Sequence, residues 1–392
     1  MNKIEKLLKE LCPKGVEFRA LQDVCNLRAG ERITTSMMSD EFEFPVMGGG
    51  VEPTGYYSSY NFENVVTIAR AGSAGFVSFQ KNKFWATDVC FVASAKTELY
   101  VNIKYVFYFL KHHEYELKKH LYGGSMPKLE KRYLWEFQIP LPPLKVQEEI
   151  VTILDTFTEL ESELESELKA RRRQYEYYRN KLLSFEYLDK NGGGYEKKSL
   201  GEIGTFTRGN GLQKKDFKEF GIPCIHYGQI YTFYGIHTHK TISFVSKETA
   251  KKLKKAKRGD LIIAEVSENK EDVCKAVVYL GDSEVCISGH SFAFSHKQNP
   301  KYIAYFFQTH FFQDQKIKYT FGTKVITVHI DNLRKIQIPL PPLKVQNEIV
   351  KILDQFDTLV NDLNSGIPRE IELRKKQYEY YREKLLNFER RE

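Results

Sequence analysis

Apolar positions recur with a helical period through one long stretch near the middle of the chain. Between Leu154 and Leu182 they are spaced about 3.5 residues apart, which is the period at which two helices pack along a common seam. The stripe consists of Leu154, Phe157, Leu160, Leu164, Leu168, Tyr175, Tyr178 and Leu182, with Arg171 filling one gap. We expect one helix over about residues 144–183, and its stripe requires a partner helix. The alternative is an ordinary amphipathic helix on a globular core.

A second copy of this region in the same chain can supply that partner. Residues 138–147 and 337–346 both read QIPLPPLKVQ, and QYEYYRNKLL at 174–183 matches QYEYYREKLL at 377–386. The second stripe contains Leu353, Phe356, Tyr378 and Leu385. The second copy also holds four more residues between the matched blocks, and Gly366-Ile367-Pro368 within it predicts a break in the helix. We therefore expect the two helical regions to pair as a coiled coil.

Two divergent segments separate the helical regions. Residues 16–141 are called here the first module, and residues 195–340 the second module. Each mixes short β-like runs, such as 65–70 and 261–266, with short helices expected over 101–112 and 302–313. The predicted fold class is α+β, with two α/β modules, long paired helices and a pseudo-two-fold internal repeat. The remaining predicted boundaries are an N-terminal helical segment at 1–15, a central helical spacer at 142–194 and a C-terminal helical region at 341–392.

Composition narrows the choice of function. The 392 residues carry a formal net charge of +8, which favours an anionic partner such as nucleic acid. The six cysteines are widely spaced and form no CxxC pair, so reduced thiols in a cytoplasmic protein are expected rather than a disulfide framework or a metal site. Neither a signal peptide nor an apolar stretch long enough to span a membrane is found in the sequence.

Candidate DNA-binding residues follow from the groups that nucleic acid requires. Phosphates take Lys, Arg or backbone amides, whereas base edges take forked or amide side chains at loop tips. The candidates are Arg70, Ser73, Lys81, Lys83 and Lys128 in the first module, and Asn210, His226, Tyr227, Gln229, Lys270 and Lys324 in the second. A salt bridge at a strand end is an equal alternative for Arg70, and for the tyrosines a core role is an alternative at least as strong as DNA binding.

A catalytic role finds little support in the sequence. There is no Asn-Pro-Pro-Tyr pocket for an amino methyl acceptor and no P-loop. Asp260 with Glu268-Asn-Lys270 imitates a metal-dependent nuclease pattern, but such triplets are frequent by chance and the first module has no equivalent. We expect no catalytic residue and no metal site in this chain.

The repeated motifs resemble those of one family. PLPPLKVQxEIVxILDxF, followed by RRRQYEYYRNKLL or RKKQYEYYREKLL, resembles the specificity subunit of type I restriction–modification enzymes. The cassette Glu-Ser-Glu-Leu, present at 161–164 and again at 165–168, and GIPREIELRKKQYEYYR near the C-terminus are most similar to the type IC subfamily.

The resemblance implies a division of labour. Each module would be a target recognition domain that reads one half of a split site on double-stranded DNA. The helices would pair antiparallel, set the gap between the half-sites and dock two methyltransferase subunits, and motor-nuclease subunits would complete the complex. This chain would hold no cofactor, because S-adenosylmethionine, ATP and Mg would belong to the partners. A protein-only coiled-coil scaffold is the alternative.

Overall fold

The computed structural model of the chain describes residues 2–191 and 193–390. It divides into two compact units, one formed by Met1–Glu165 with Glu370–Glu392 and the other by Ser166–Arg369. Each unit contains one module, one part of the central helical spacer and one part of the C-terminal helical region. Four residues of the predicted segments, Met1, Gly192, Arg391 and Glu392, lie outside the described residues.

The described helices number fifteen. They are α1 (Asn2–Leu11), α2 (Leu21–Val24), α3 (Ile103–His112), α4 (Glu114–Lys119), α5 (Lys131–Glu136), α6 (Leu144–Leu182), α7 (Phe185–Asn191), α8 (Leu200–Ile203), α9 (Tyr227–Thr232), α10 (Lys247–Lys252), α11 (Pro300–Phe306), α12 (His310–Ile317), α13 (Ile330–Leu333), α14 (Leu343–Asn361) and α15 (Ile367–Leu386).

Eleven strands belong to the first module. They are β1 (Phe18–Ala20), β2 (Cys25–Ala29), β3 (Phe44–Met47), β4 (Tyr56–Tyr57), β5 (Val65–Ala69), β6 (Val77–Gln80), β7 (Trp85–Ala86), β8 (Cys90–Ala95), β9 (Leu121–Tyr122), β10 (Lys128–Leu129) and β11 (Gln138–Pro140). The larger sheet has the order β2-β8-β5-β6 and the smaller one β4-β3-β7. The five residues of β5 are all buried, so this strand forms the centre of the core.

Thirteen strands belong to the second module. They are β12 (Glu196–Ser199), β13 (Gly204–Arg208), β14 (Ile222–Ile225), β15 (His237–Thr238), β16 (Ser243–Val245), β17 (Lys255–Ala256), β18 (Leu261–Ala264), β19 (Val266–Ser267), β20 (Ala276–Tyr279), β21 (Val285–Ile287), β22 (Ser291–His296), β23 (Ile326–Thr327) and β24 (Gln337–Leu340). The two main sheets have the orders β13-β22-β18-β20-β15 and β16-β14-β21-β17. Buried β18 takes the central place that β5 has in the first module.

Most of the predicted helices are confirmed, and one is corrected. α6 is a single helix of 39 residues, and the break predicted at Gly366 separates α14 from α15. The single helix expected over 302–313 is wrong, because the chain forms α11 and α12 there. Thr309 causes the interruption, since its side chain accepts a hydrogen bond from the N–H of Phe312 and so caps the start of α12.

In the first unit, the N-terminal part of α6 packs against α15. The rings of Phe157 and Tyr381 stack with their centroids 5.4 Å apart. Further along, the Lys375 ammonium lies 3.1 Å from a carboxylate oxygen of Glu161 and 3.2 Å from one of Glu165. Residue numbers rise along α6 while they fall along α15, so this pair is antiparallel, as the family resemblance implied.

In the second unit, the C-terminal part of α6 packs against α14. The ring of Phe356 stacks on Tyr178 at 5.5 Å and on Tyr175 at 6.2 Å between centroids. The Tyr175 hydroxyl donates to Asp357 at 3.4 Å. Burial, with Asp357 adding to it, raises the pKa of Tyr175 above its usual value. The two parts of one helix therefore serve two different cores.

Exposure differs along the apolar stripes. Leu154, Tyr175, Leu182, Leu353 and Leu385 are buried, Phe157, Leu164, Leu168, Phe356 and Tyr378 are half-buried, and Leu160 is exposed. An α-helix turns by about 100° per residue, which places Leu160 at the edge of a stripe centred near Phe157 and Leu164.

The repeated QIPLPPLKVQ phrase fixes each module on the helix that follows it. The amide of Gln147 is fully buried, accepts from the N–H of Asn102 at 2.9 Å and donates to the carbonyls of Tyr100 and Pro142. Gln346, in the same place of the second copy, accepts from the N–H of Asn299 at 3.1 Å and donates to the carbonyl of Pro341.

A second set of contacts repeats beside these glutamines. In the first unit Asp155 accepts hydrogen bonds from Lys104 at 2.6 Å and from the Tyr108 hydroxyl. In the second unit Asp354 accepts from Lys301 at 2.8 Å and from the Tyr305 hydroxyl at 2.7 Å. Burial and the neighbouring aspartate raise the pKa of both tyrosines, which keeps each one a donor. We call Lys104, Tyr108, Gln147 and Asp155, with Lys301, Tyr305, Gln346 and Asp354, the docking clamps.

Candidate nucleic-acid interface

Three of the predicted residues in the first module lie together at the end of β5. The N–H of Leu129, next to Lys128, donates to the carbonyl of Arg70 at 2.8 Å, and the N–H of Ser73 donates to the carbonyl of Gly49 at 2.7 Å. Arg70 is half-buried, with its guanidinium carbon 5.7 Å from the ring centroid of Phe91, whereas Ser73 and Lys128 are exposed. We call Arg70, Ser73 and Lys128 the first rim.

Gly72 allows the loop of this rim to turn so tightly. Its φ is +77°, and a side chain there would meet the carbonyl oxygen of Gly49 at 2.6 Å. Only glycine fits such a left-handed position so close to another backbone. Gly72 in Ala-Arg-Ala-Gly-Ser-Ala-Gly therefore shapes the loop that carries Arg70 and Ser73.

Lys81 and Lys83 lie elsewhere. Both are exposed in the turn after β6. β6 runs antiparallel to β5 and its last residue, Gln80, pairs with Val65, the first residue of β5. These lysines are thus at the opposite end of β5 from Arg70. Lys83 lies over the ring of Tyr60, 4.4 Å from its centroid.

The second module places Tyr227, Lys270 and Lys324 near the C-terminal end of β18, which corresponds to the end of β5 where Arg70 lies. β19 pairs with β23, so the loop after β19, which carries Lys270, lies beside the segment with Lys324. Both lysines are exposed. Tyr227 is half-buried, and its ring contacts that of His290 edge-on at 5.4 Å between centroids.

The polar groups of the other three candidates are used inside the module. Asn210 donates to the carbonyl of Lys252 at 2.9 Å and accepts from the N–H of Lys254. Gln229 accepts from the N–H of His226 at 3.0 Å and donates to the Ser243 hydroxyl at 2.7 Å.

His226 is buried and caps α9 by accepting from the N–H of Gly228. Burial, and then the nearby Lys214 and His290, lower its pKa, so the ring is neutral in this role. Together with the bonds of Asn210 and Gln229, this cap supports a structural role for all three residues.

Sequence reasoning missed an ion pair at the same end of β18. Arg208, the last residue of β13, donates through Nη2 to Glu265 Oε2 at 2.7 Å. The Nδ1 atom of His290 is 3.6 Å from the same oxygen. Arg208 and Glu265 are far apart in sequence and meet only because β13 and β18 both flank β22. The sole local signal was Gly209, the residue after Arg208, since a glycine also follows Arg70 two residues later in the first rim. We call Arg208, Tyr227, Glu265, Lys270, His290 and Lys324 the second rim.

The nuclease-like residues are not brought together. Asp260 precedes β18 and accepts from the N–H of Lys257 at 2.9 Å, whereas Glu268 and Lys270 follow the other end of that strand. Over the described ranges, no group of three or more His, Cys, Asp or Glu side chains could hold a metal ion. In the same ranges no helix is long and apolar enough to cross a membrane.

A buried lysine supports the loop that carries Lys270. Lys316 of α12 is fully buried, and its ammonium donates to the carbonyls of Glu271 at 2.7 Å and Val273 at 2.9 Å. Burial lowers the pKa of Lys316 from 10.5 to about 8. The two carbonyls need a donor, and Lys316 supplies it at a cost in solvation, in addition to the hydrogen bonds that Asn269 and Asp272 make within the loop.

We expect this lysine to make stability depend on pH. Because its pKa is lower in the fold, the unfolded chain binds more protons between about pH 8 and pH 10.5, and stability rises with pH there. Lys316→Met should remove a rise on the order of 3 kcal/mol at most. The rise is measured by urea unfolding of the wild-type and Lys316→Met proteins at pH 7.5 and pH 10, with circular dichroism as the signal. The neighbouring Glu271, Asp272 and Cys274 remain in both proteins, so an equal pH response would refute this assignment.

The chain is similar over most of its length to proteins of one family. The family model described as "Type I restriction modification DNA specificity domain" matches residues 13–171 and again residues 193–373. A Haemophilus influenzae protein described as a type I restriction enzyme specificity subunit is 32% identical over 406 residues, covering 98% of each chain. The EcoR124I/EcoR124II specificity subunit of Escherichia coli is 30% identical over 306 residues, covering 73% of this chain and 71% of that protein.

A solved structure agrees in fold. The crystal structure of the S subunit of a type I restriction–modification system from M. genitalium aligns with a TM-score of 0.61 at 18% identity. The alignment covers 95% of this chain and 96% of that one. The two matches to the family model each contain one module, so the family relationship follows the internal repeat.

Proposed function

The chain belongs to the family of type I restriction–modification DNA specificity subunits, and on this premise we propose that its two rims read the two halves of one split DNA site. As a member of this family it recognises DNA without catalysing a reaction, and it assembles with methyltransferase and motor-nuclease subunits. Arg70, Ser73 and Lys128 would contact the first half-site. Tyr227, Lys270 and Lys324, with Arg208, would contact the second.

One observation carries the proposal. The docking clamps make the same contacts in both units. In each, a glutamine oxygen accepts from the N–H of an asparagine, and a tyrosine hydroxyl donates to an aspartate. The rims differ in sequence, charge and loop length. A frame that is kept while its two presented surfaces diverge supports two different recognition surfaces, and a symmetric dimer that reads a palindrome would keep them equal.

The finer features are proposed on the same basis. We propose target recognition domains at 16–141 and 195–340. The two docking clamps, which join the end of each module to the helix that follows it, support these boundaries. Lys81 and Lys83 remain proposed phosphate contacts at the far end of β5, and Asn210, His226 and Gln229 are proposed to shape the second rim rather than contact bases. The repeated Glu-Ser-Glu-Leu cassette supports membership of the type IC subfamily.

The partners supply the chemistry. The two copies of the helical region support docking of two methyltransferase subunits, which would bind S-adenosylmethionine. The motor-nuclease subunits would use ATP and Mg, and the complex would act in the cytoplasm, where its DNA is.

Mapping methylated bases tests the proposal directly. The chain is co-expressed with its methyltransferase partner in a methylation-free host, and modified bases are located across the genome. We expect one motif with two unlike halves and a gap of fixed length. The methyltransferase alone is the control and should leave no such motif. An assembled complex that modifies nothing would favour the scaffold alternative.

A further inference from the structure

Arg70 of the first rim and Glu265 of the second occupy the same position in their modules. Each residue directly follows the central strand of its sheet, β5 or β18. The N–H of Arg70 donates to the carbonyl of Val89 at 2.9 Å, and the N–H of Glu265 donates to the carbonyl of His290 at 2.9 Å. In both modules the accepting residue lies just before the paired strand, β8 or β22. A cation in one module is thus replaced by an anion in the other.

The neighbouring strand shows the complementary exchange. The N–H groups of Gly30 and Gly209 each donate to the carbonyl of the first residue of the paired strand, β8 or β22. The residue before each glycine is therefore equivalent as well, and it is Ala29 in the first module and Arg208 in the second. Each rim therefore has one guanidinium at this end of its sheet. In the first rim it belongs to Arg70 after β5, and in the second to Arg208 at the end of β13.

The carboxylate of Glu265 holds the guanidinium of Arg208 in place. The side chain of Glu265 is only 7% exposed, whereas that of Arg208 is 58% exposed. Nη2 binds the carboxylate at 2.7 Å, and Nε approaches the carbonyl of Gly289 at 3.4 Å. Because one edge of the planar group is fixed from below, its remaining N–H groups are presented outward in a defined plane. Tyr227 and His290, whose rings are in contact, lie beside this ion pair.

This arrangement fits a base edge better than a phosphate. A phosphate contact requires charge and reach and is satisfied by flexible side chains, whereas a bidentate contact to a base requires a fixed plane. Another arginine of the same module provides the contrast. Arg258, near the opposite end of β18, pairs with Asp282, and both side chains are largely exposed at 59% and 97%. Of these two ion pairs, only that of Arg208 and Glu265 combines an exposed guanidinium with a buried carboxylate.

We propose that Arg208, positioned by Glu265, recognises a guanine in the major groove of the second half-site. The inference rests on the proposed function and adds the identity of one base and of the residue that reads it. Guanine is the base that offers two acceptors, O6 and N7, at the spacing of the guanidinium fork. Glu265 contacts no base and acts by orienting Arg208. Arg70 of the first module stands at the position of Glu265 and not at that of Arg208, so the two modules present their guanidinium groups from neighbouring strands.

The test compares methylation motifs of complexes that contain Arg208→Ala, Glu265→Gln or Arg258→Ala. The full chain is co-expressed with its methyltransferase partner, and modified sites are mapped and ranked by extent of methylation. We expect Arg208→Ala to reduce the preference for guanine at one position of the second half-site roughly 10- to 100-fold. Glu265→Gln should relax the same position more weakly, and Arg258→Ala should leave the motif unchanged. The first half-site should stay the same in all three variants.

Each other outcome overturns the inference. An unchanged motif for Arg208→Ala, or a wild-type second half-site without guanine, would exclude guanine reading. If Arg208→Ala instead weakens binding to every duplex equally, and the slope of log K against log salt concentration falls by about one, Arg208 is a phosphate contact. Failure of the proposed function itself looks different, because the wild-type complex would then give no split motif. The exposed position of Arg208 and the isosteric Glu265→Gln change keep loss of folding from imitating either result.

Discussion

Inserting one more Glu-Ser-Glu-Leu cassette after Leu168 should lengthen the gap of the recognised DNA motif by one or two base pairs. The insertion adds four residues to α6, and at about 1.5 Å per residue the helix becomes roughly 6 Å longer. Base pairs of B-DNA are about 3.4 Å apart, so the change corresponds to between one and two steps. Both half-sites should remain as they were, because neither rim is altered.

The position of the insertion matters for this result. It falls after the part of α6 that packs in the first unit, which includes Phe157 and Glu165, and between Leu168 and Tyr175, which both pack in the second unit. The cassette residues Leu164 and Leu168 are only half-buried. The leucine of the inserted cassette stands in the same sequence register to Tyr175 as Leu168 does now, so it takes over the packing of Leu168 against the second core, and the new residues extend an existing four-residue pattern.

The measurement is again the methylation motif of the co-expressed complex. Deleting Glu165-Ser-Glu-Leu168 should shorten the gap by the same amount, and Ser166→Ala, which keeps the length, is the control. A complex that methylates the original motif after the insertion would show that α6 does not set the gap. An altered half-site sequence would contradict the separation of gap and base recognition.

The architecture was predictable because identical phrases must form identical local structure. Two copies of QIPLPPLKVQ predicted two matching helical regions, and the glycine and proline at 366 and 368 predicted the break between α14 and α15. The choice of partner for each part of α6 could not be predicted, since two matching stripes can pair in more than one way. The interruption at Thr309 depended on a single capping side chain within an otherwise helical pattern.

The candidate sites were predicted unevenly for a similar reason. Arg70 and Ser73 were identified because the glycines around them are adjacent in sequence. Asn210 and Gln229 have groups suited to base edges, but backbone N–H groups and carbonyls of the module use those groups first. Arg208 and Glu265 were missed because strand order, rather than sequence spacing, makes them neighbours.

Replacing Gln147 with leucine should strongly destabilise the first unit. Gln147 is fully buried, and its amide satisfies the N–H of Asn102 and the carbonyls of Tyr100 and Pro142. Leucine fills a similar volume but offers no hydrogen bond, and each buried group left unpaired costs about 1–3 kcal/mol. Of the three partner residues Tyr100 is largely exposed, so water can replace part of the loss there, and we expect the free energy of unfolding to fall by about 3 kcal/mol in total.

Tryptophan fluorescence reports this change selectively. The chain has two tryptophans, Trp85 and Trp135, and both belong to the first unit. Urea unfolding of the full chain, followed by their emission, should show a midpoint lower by about 1–3 M, given a slope of about 1–3 kcal/mol per molar urea. Gln138→Ala is the matched control, because this first residue of the same phrase is exposed and should change the stability by less than about 0.5 kcal/mol.

Equal stabilities of the Gln147→Leu and Gln138→Ala proteins would mean that the clamp is not what holds the module. The expected difference has a consequence for recognition. A gap of fixed length in the DNA motif requires that each module be held rigidly on its helix, since a loosely held rim would accept several gaps. The same glutamine is therefore present at the same place in both copies of the phrase, and its loss should widen the range of gaps as well as lower stability.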